Sequence, residues 1–246
     1  LGQSRQEEAR RVSAFSLYLG ILISALFSVG MAVFMEPLLT FLGAGENTYQ
    51  YARQYALCVI VFGGIPTVLS NVLSNLIRSI GRSREAGAGI ILGGLLNIAL
   101  DPLFMFVLLP EGFEVLGAGI ATCLSNCIAC LFFVAVLLRM GKGSVISFRM
   151  RGGLPDRESM LAVFSVGIPS AITSFLFDLD YVVIDKLMVS YHDLALAAIG
   201  IVLKVERFPL NVGIGICQGM MPLVAYNYAA GNQKRMDDII RLARRL

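Results

Sequence analysis

The sequence predicts an all-α membrane protein with six transmembrane helices. Three observations carry that expectation. Hydrophobic residues make up 57% of the 246 residues and charged residues 15%, where an ordinary soluble domain is roughly 45–50% apolar and about 25% charged. The mean hydropathy is +0.75. Six apolar stretches are each long enough to cross a bilayer, which takes about 20 mostly apolar residues. The same composition excludes a disordered chain, a collagen and a disulfide-stapled secreted scaffold.

The stretches cover about residues 12–42, 49–77, 86–109, 116–138, 159–190 and 195–228. The longest of them call for tilted or kinked helices that run past the hydrocarbon. Three of the polar breaks between them carry no Lys or Arg: Gly43-Ala44-Gly45-Glu46-Asn47, Pro110-Glu111-Gly112-Phe113-Glu114 and Ser190-Tyr191-His192-Asp193. The alternate breaks are basic. Arg5, Arg10 and Arg11 precede the first span, and Arg78, Arg82 and Arg84 follow the second. Arg139, Lys142, Arg149, Arg151 and Arg157 follow the fourth, and Lys234, Arg235, Arg241, Arg244 and Arg245 follow the sixth. Positive residues stay in the cytoplasm, so both termini are expected there, with the spans in the plasma membrane. Hydropathy and charge are independent signals, and they agree.

A net charge of +3 is too small to argue for nucleic acid. No h-region leads to a small-residue cleavage site near Leu1, so no signal peptide is expected. The five cysteines, Cys58, Cys123, Cys127, Cys130 and Cys217, all lie in apolar runs and are read as packing residues. Cys123, Cys127 and Cys130 share a helix face without a His or acidic ligand, so no metal site is expected.

One punctuation recurs. Leu1-Gly2-Gln3-Ser4-Arg5, Ile80-Gly81-Arg82-Ser83-Arg84 and Ala230-Gly231-Asn232-Gln233-Lys234 share a Gly followed by polar and basic residues. Gly is the usual residue just past a helix end. The first and third copies suggest a two-lobe repeat with six spans per lobe, an arrangement common in secondary transporters. The competing reading is that any cytoplasmic turn needs Gly and Arg.

Polar groups inside the spans carry the functional information, because a charge at the bilayer centre costs about 2.5–3.5 kcal/mol on insertion scales. Asp101 lies about 22 Å along the third span, with Asn97 one turn earlier on the same face. Pro102 frees a backbone carbonyl one turn back. A carboxylate, an amide and a loosened helix make a candidate proton or Na⁺ site; a helix-end Asp reaching the interface is the alternative. In the fifth span Asp178, Tyr181 and Asp185 share a stripe. In the sixth, Lys204, Glu206 and Arg207 lie about 14–18 Å from the outer end, at the depth of Asp178. Ion pairing across a water-filled cleft and a structural salt bridge are both open. Gly89 and Gly93, and Gly215 and Gly219, have the spacing that lets helices approach closely. No P-loop, dinucleotide fingerprint or nucleophile–base constellation occurs, which argues against an enzyme.

Three stretches together resemble the MATE family of multidrug and toxic compound extrusion transporters. They are Asn97-Ile98-Ala99-Leu100-Asp101-Pro102-Leu103-Phe104 with Gly117 to Thr122; Gly167-Ile168-Pro169 with Tyr181 to Asp185 and Ala195 to Gly200; and Gln218-Gly219-Met220-Met221-Pro222 through Tyr228. The resemblance implies a chain covering about helices three to eight of a two-lobe, six-plus-six transporter, whose remaining helices would be its partners. Residues 1–138 would form four spans of the N-lobe, 139–158 the cytoplasmic inter-lobe loop, and 159–246 the start of the C-lobe, with two spans and the beginning of the next helix. It implies Na⁺- or H⁺-coupled antiport that exports amphipathic, often cationic, small molecules, with the ion as coupling partner and no further cofactor. Asp101 and Asn97 match the family's N-lobe cation site. Asp178 falls where some members have a helix-seven carboxylate; Lys204, Glu206 and Arg207 match no family pattern and, with Asp178 and Tyr181, are candidates for a C-lobe cavity on their depth in the spans alone. A lipid-linked precursor flippase of the same superfamily is the alternative, which Lys204 and Arg207 keep open; an intramembrane channel or enzyme is a third.

Overall fold

The computed structural model describes residues 6–141, 145–148, 153–189 and 193–244. Among the described residues the secondary structure is helical, and the chain divides at residues 154/155 into two units. The first unit holds α1 (Gln6–Val33), α2 (Met35–Phe41), α3 (Glu46–Ala56), α4 (Gly64–Ser79), α5 (Ser83–Pro102) and α6 (Glu114–Met140). The second holds α7 (Arg157–Val189), α8 (Asp193–Ala229) and α9 (Gln233–Ala243). Five helices are long and apolar enough to cross a membrane, and α3 with α4 makes a sixth span if the bent pair counts as one.

Proline explains where the expected spans depart from straight helices. The first breaks at Phe34, leaving α2 as a separate short helix. Pro37, in the first turn of α2, has no N–H to give and its ring crowds the carbonyl of Val33. The second bends by 50° at Gly63, ahead of Pro66, and Leu57–Phe62 winds as π-helix before the bend. The wider turn is visible in the bond from the Gly63 N–H to the Cys58 carbonyl, five residues back, at 2.9 Å. The Ser28 hydroxyl on α1 donates to the Ile60 carbonyl at 2.8 Å, and the Thr67 hydroxyl donates to the Gly63 carbonyl at 2.7 Å. The third span continues beyond Pro102 as a second π-helical stretch, Leu103–Leu108.

The first unit packs around α6, which lies against α3, α4, α5 and both π-helical stretches. Two glycines permit this. A Cβ on Gly117 would sit 2.8 Å from the Phe104 carbonyl carbon and oxygen, and one on Gly119 would sit 3.0 Å from the Cys58 Cβ. A Cβ on Gly93 of α5 would sit 3.2 Å from the Ala129 Cβ, and one on Gly89 would collide with the Phe133 ring. Gly215 and Gly219, with the same spacing on α8, have open space around them in the second unit. Spacing alone does not create a partner.

Two apolar clusters close the ends of the first unit. Leu17, Leu73, Ile77, Ala86, Phe133, Leu137 and Ile146 gather at the basic end. Met31, Met35, Leu39 and Ala56 gather at the end without Lys or Arg turns. Ile146 anchors the stretch after α6, where the Ser147 N–H donates to the Ser13 Oγ at 3.1 Å and the Tyr18 hydroxyl donates to the Phe148 carbonyl at 3.0 Å.

The recurring Gly punctuation has one geometry at both described copies. Gly81 (φ +85°) and Gly231 (φ +71°) adopt the left-handed conformation. In each, the Gly N–H reaches the carbonyl three residues back and the next N–H reaches five back: Arg82 to Ile77 at 3.2 Å, Asn232 to Asn227 at 2.8 Å. This satisfies the carbonyls that a helix end leaves open. Gly2, the first copy, lies outside the described residues.

Gly117→Ala is expected to cost about 1–3 kcal/mol, because its methyl group meets a backbone carbonyl that cannot rotate away. Gly215→Ala meets nothing and is expected to be neutral or slightly stabilising. Thermal unfolding of the purified protein in detergent checks both; equal midpoints for the two variants would show that α6 and the π-helical stretch are not in contact.

Candidate functional site

The site in the first unit begins with helix periodicity. Asn97 and Asp101 are one turn apart on α5, so their side chains share a face. The Asn97 Nδ2 donates to the Asp101 Oδ1 at 3.1 Å and to the Thr122 Oγ1 of α6 at 3.3 Å. All three residues are half-buried. An amide nitrogen has two hydrogens, and both are used. Neither the Asn97 Oδ1 nor the second carboxylate oxygen of Asp101 has a partner among the described residues. The arrangement therefore presents a carboxylate and an amide oxygen together, held in place by a hydroxyl from the neighbouring helix.

The polar contacts continue across the unit. One turn along α6, Asn126 donates through Nδ2 to the Thr67 Oγ1 of α4 at 2.9 Å. On α4, Asn71 donates to the Thr67 carbonyl at 2.9 Å and Asn75 to the Asn71 carbonyl at 3.1 Å. The Arg78 guanidinium donates to the Asn75 Oδ1 at 2.9 Å. Thr122 and Asn126 on α6, and Thr67, Asn71 and Asn75 on α4, were not singled out by the sequence analysis. Their signal is there: polar residues four apart inside an apolar span form a stripe.

In the second unit the predicted C-lobe residues are partly brought together. The Arg207 guanidinium carbon lies 4.3 Å from the centre of the Tyr181 ring, a cation–π contact joining α8 to α7. Asp178, Lys204, Glu206 and Arg207 are exposed and Tyr181 is half-buried. The expected ion pair does not form: among the described residues no salt bridge links Asp178 to Lys204 or Arg207. The ring of Tyr181, one turn along the same stripe, receives the guanidinium instead. The side chain of Asp185 and all of His192 lie outside the described residues. Among those described, no three His, Cys, Asp or Glu side chains converge as metal ligands would.

With this geometry in hand, comparison with known proteins is direct. The MatE family model matches residues 1–103 and 169–244. The multidrug export protein MepA of Staphylococcus aureus (strain NCTC 8325 / PS 47) is 30% identical over 243 residues, covering 98% of this chain and 52% of the relative. The protein of the same name from Staphylococcus saprophyticus is 30% identical over 244 residues, with the same coverage. Among solved structures, a MOP superfamily transporter from Pyrococcus furiosus superposes with a TM-score of 0.86 at 23% identity, over 98% of this chain and 53% of that one. A multidrug resistance MATE family transporter in an outward-facing conformation gives the same TM-score, identity and coverage. The chain spans about half the length of the curated relatives it matches.

The Asn97–Asp101 bond gives a test that does not depend on function. Asn97→Leu strips the carboxylate of its amide donor inside the span and is expected to cost about 1–3 kcal/mol. The Asn97→Leu/Asp101→Leu double variant removes both partners and is expected to cost less than the sum of the single changes. Unfolding in detergent measures the cycle; strict additivity would show that the two side chains do not interact.

Proposed function

The chain belongs to the MatE family, and from that membership we propose that it is part of an ion-coupled exporter of amphipathic small molecules, with Asp101 and Asn97 at its coupling site. With five or six apolar spans, the chain is a multi-pass membrane protein. The observation that carries the proposal is the Asn97–Asp101–Thr122 network, which leaves two oxygens open inside a span. Transporters of other folds bind Na⁺ or H⁺ where a helix is broken near mid-membrane and lines a cavity. Here the site sits immediately before Pro102, where α5 gives way to π-helix.

The mechanism follows from what such a site can hold. A carboxylate with two oxygens accepts either a proton or a monovalent cation. The Asn97 amide donates to the ionised form, and its own oxygen accepts from the protonated form. A ligand shifts a conformational equilibrium only by its difference in affinity for the two states. Coupling therefore needs the oxygens around Asp101 to differ between outward- and inward-open forms. The π-helical stretch beside it is a segment whose hydrogen-bond register can change. The second unit, with Asp178, Tyr181, Lys204, Glu206 and Arg207, supplies a polar wall for the exported compound. The plasma membrane is the expected location, with both ends of the chain cytoplasmic.

In the complete transporter, Asp101→Asn is expected to abolish efflux driven by an imposed Na⁺ or H⁺ gradient while membrane insertion and expression stay normal. Asn97→Ala is expected to weaken coupling less, because the carboxylate remains. Wild-type efflux in Asp101→Asn would remove the carboxylate from the mechanism. Topology is read separately by cysteine labelling: single cysteines placed at 148 and 232 should react only with reagents that reach the cytoplasm, and labelling from outside would invert the orientation.

A further inference from the structure

The second span meets α6 on both sides of its bend. Before the bend, a Cβ on Gly119 would sit 3.0 Å from the Cys58 Cβ and 3.5 Å from the Tyr55 Cα, so the two helices approach closely there. After the bend, the Asn126 Nδ2 donates to the Thr67 Oγ1 at 2.9 Å. Gly119 and Asn126 are about two turns apart on α6 and so lie on one face. Thr122 sits between them, one turn from each. It is the residue that receives the Asn97 amide at 3.3 Å.

Thr67 makes the second contact part of the bend itself. Its hydroxyl has one hydrogen and gives it to the Gly63 carbonyl at 2.7 Å. The same oxygen can then only accept, and it accepts from Asn126. The Gly63 N–H closes the wide turn on the Cys58 carbonyl at 2.9 Å. Cys58 is thus tied to Gly63 through the backbone, Gly63 to Thr67 through the hydroxyl, and Thr67 to α6 through Asn126. A change of angle at Gly63 moves α6 or breaks one of the two contacts. Close-packed interiors answer such a change by switching between discrete arrangements rather than by stretching.

We propose that Thr67 and Asn126 are positioning residues for the ion site: they tie the bend of the second span to α6, so that the placing of Thr122 and Asn97 around Asp101 follows the angle at Gly63. This inference rests on the coupling reading above, and it adds the element whose shape the ion senses. Among the described residues neither Thr67 nor Asn126 bonds to Asp101, so both act through Thr122 and Asn97. An ion that binds better at one angle favours that angle by its difference in affinity.

The test uses proteoliposomes holding the complete transporter, with ethidium as the exported dye. The readout is export under an imposed Na⁺ or H⁺ gradient divided by dye-for-dye exchange without one, a ratio that cancels changes in expression and folding. Thr67→Val removes the hydroxyl at nearly constant volume. Asn126→Leu removes the donor and leaves the Thr67 bond to Gly63 in place. Each is expected to lower the ratio about fivefold, the scale on which residues away from a ligand change coupling. Thr67→Ser keeps the hydroxyl and should keep the ratio. Thr67→Val combined with Asn97→Ala should fall no further than Asn97→Ala alone, because both break one path. A contact that only holds the helices together would leave the ratio of both single variants unchanged, or would multiply the two losses in the double variant; either result overturns the proposal. A wild type that exports no ethidium under either gradient would instead remove the coupling reading, and this link with it.

Discussion

Lipid offers no hydrogen bonds, so every backbone group that a proline or a bend releases has to be satisfied from inside the protein. Much of the first unit follows from that constraint. Around the Gly63 bend, the Ile60 carbonyl takes a hydroxyl from Ser28 and the Gly63 carbonyl takes one from Thr67. Before the bend and after Pro102 the helix widens to π geometry. Both widened stretches lie against α6, where Gly117 and Gly119 leave room for them. The same close approach carries Thr122 to Asn97 and Asn126 to Thr67. The helix interruptions and the polar site are therefore parts of one packing solution. A methyl group on Gly117 would disturb the site through the Phe104 backbone without touching a side chain of the site.

The two units treat their mid-span polar groups differently. In the first, side chains on three helices bond to one another, and one oxygen each of Asn97 and Asp101 is left without a partner among the described residues. In the second, Asp178, Lys204, Glu206 and Arg207 are exposed, and the one contact that organises them is the Tyr181 ring. Exposed Phe175, Val205 and Phe208 on the same helices suit a lipid or protein neighbour, and charges at this depth call for water, a polar ligand or an oppositely charged partner. The first unit has the features of a small, defined ion site.

The spans were legible because hydropathy over about 20 residues is a coarse property that tertiary context cannot overturn. The Asn97–Asp101 pair was legible for a different reason: a four-residue spacing inside a helix fixes proximity before any fold is known. What the sequence hid was contact between helices. Thr122 reaches Asn97 only because α5 and α6 lie side by side, and a Thr in an apolar run gives no sign of which neighbour it meets. Arg207 was expected to pair with an acid and instead lies over Tyr181, since matching depth on two helices does not set their rotation about their own axes. The 50° bend at Gly63 and the π-helical winding ahead of it depend on what α6 and Ser28 can supply.

The central claim is that the oxygens around Asp101 bind the coupling ion. The most direct measurement is the thermal stability of the complete transporter in detergent as Na⁺ is raised, and separately as pH is lowered. A ligand that binds the folded state stabilises it by RT ln(1 + [L]/Kd). The account predicts that one of the two ions raises the wild-type unfolding temperature in a saturable way, and that Asp101→Asn, otherwise folded, loses that rise. An equal rise in the wild type and in Asp101→Asn would place the ion elsewhere and contradict the account.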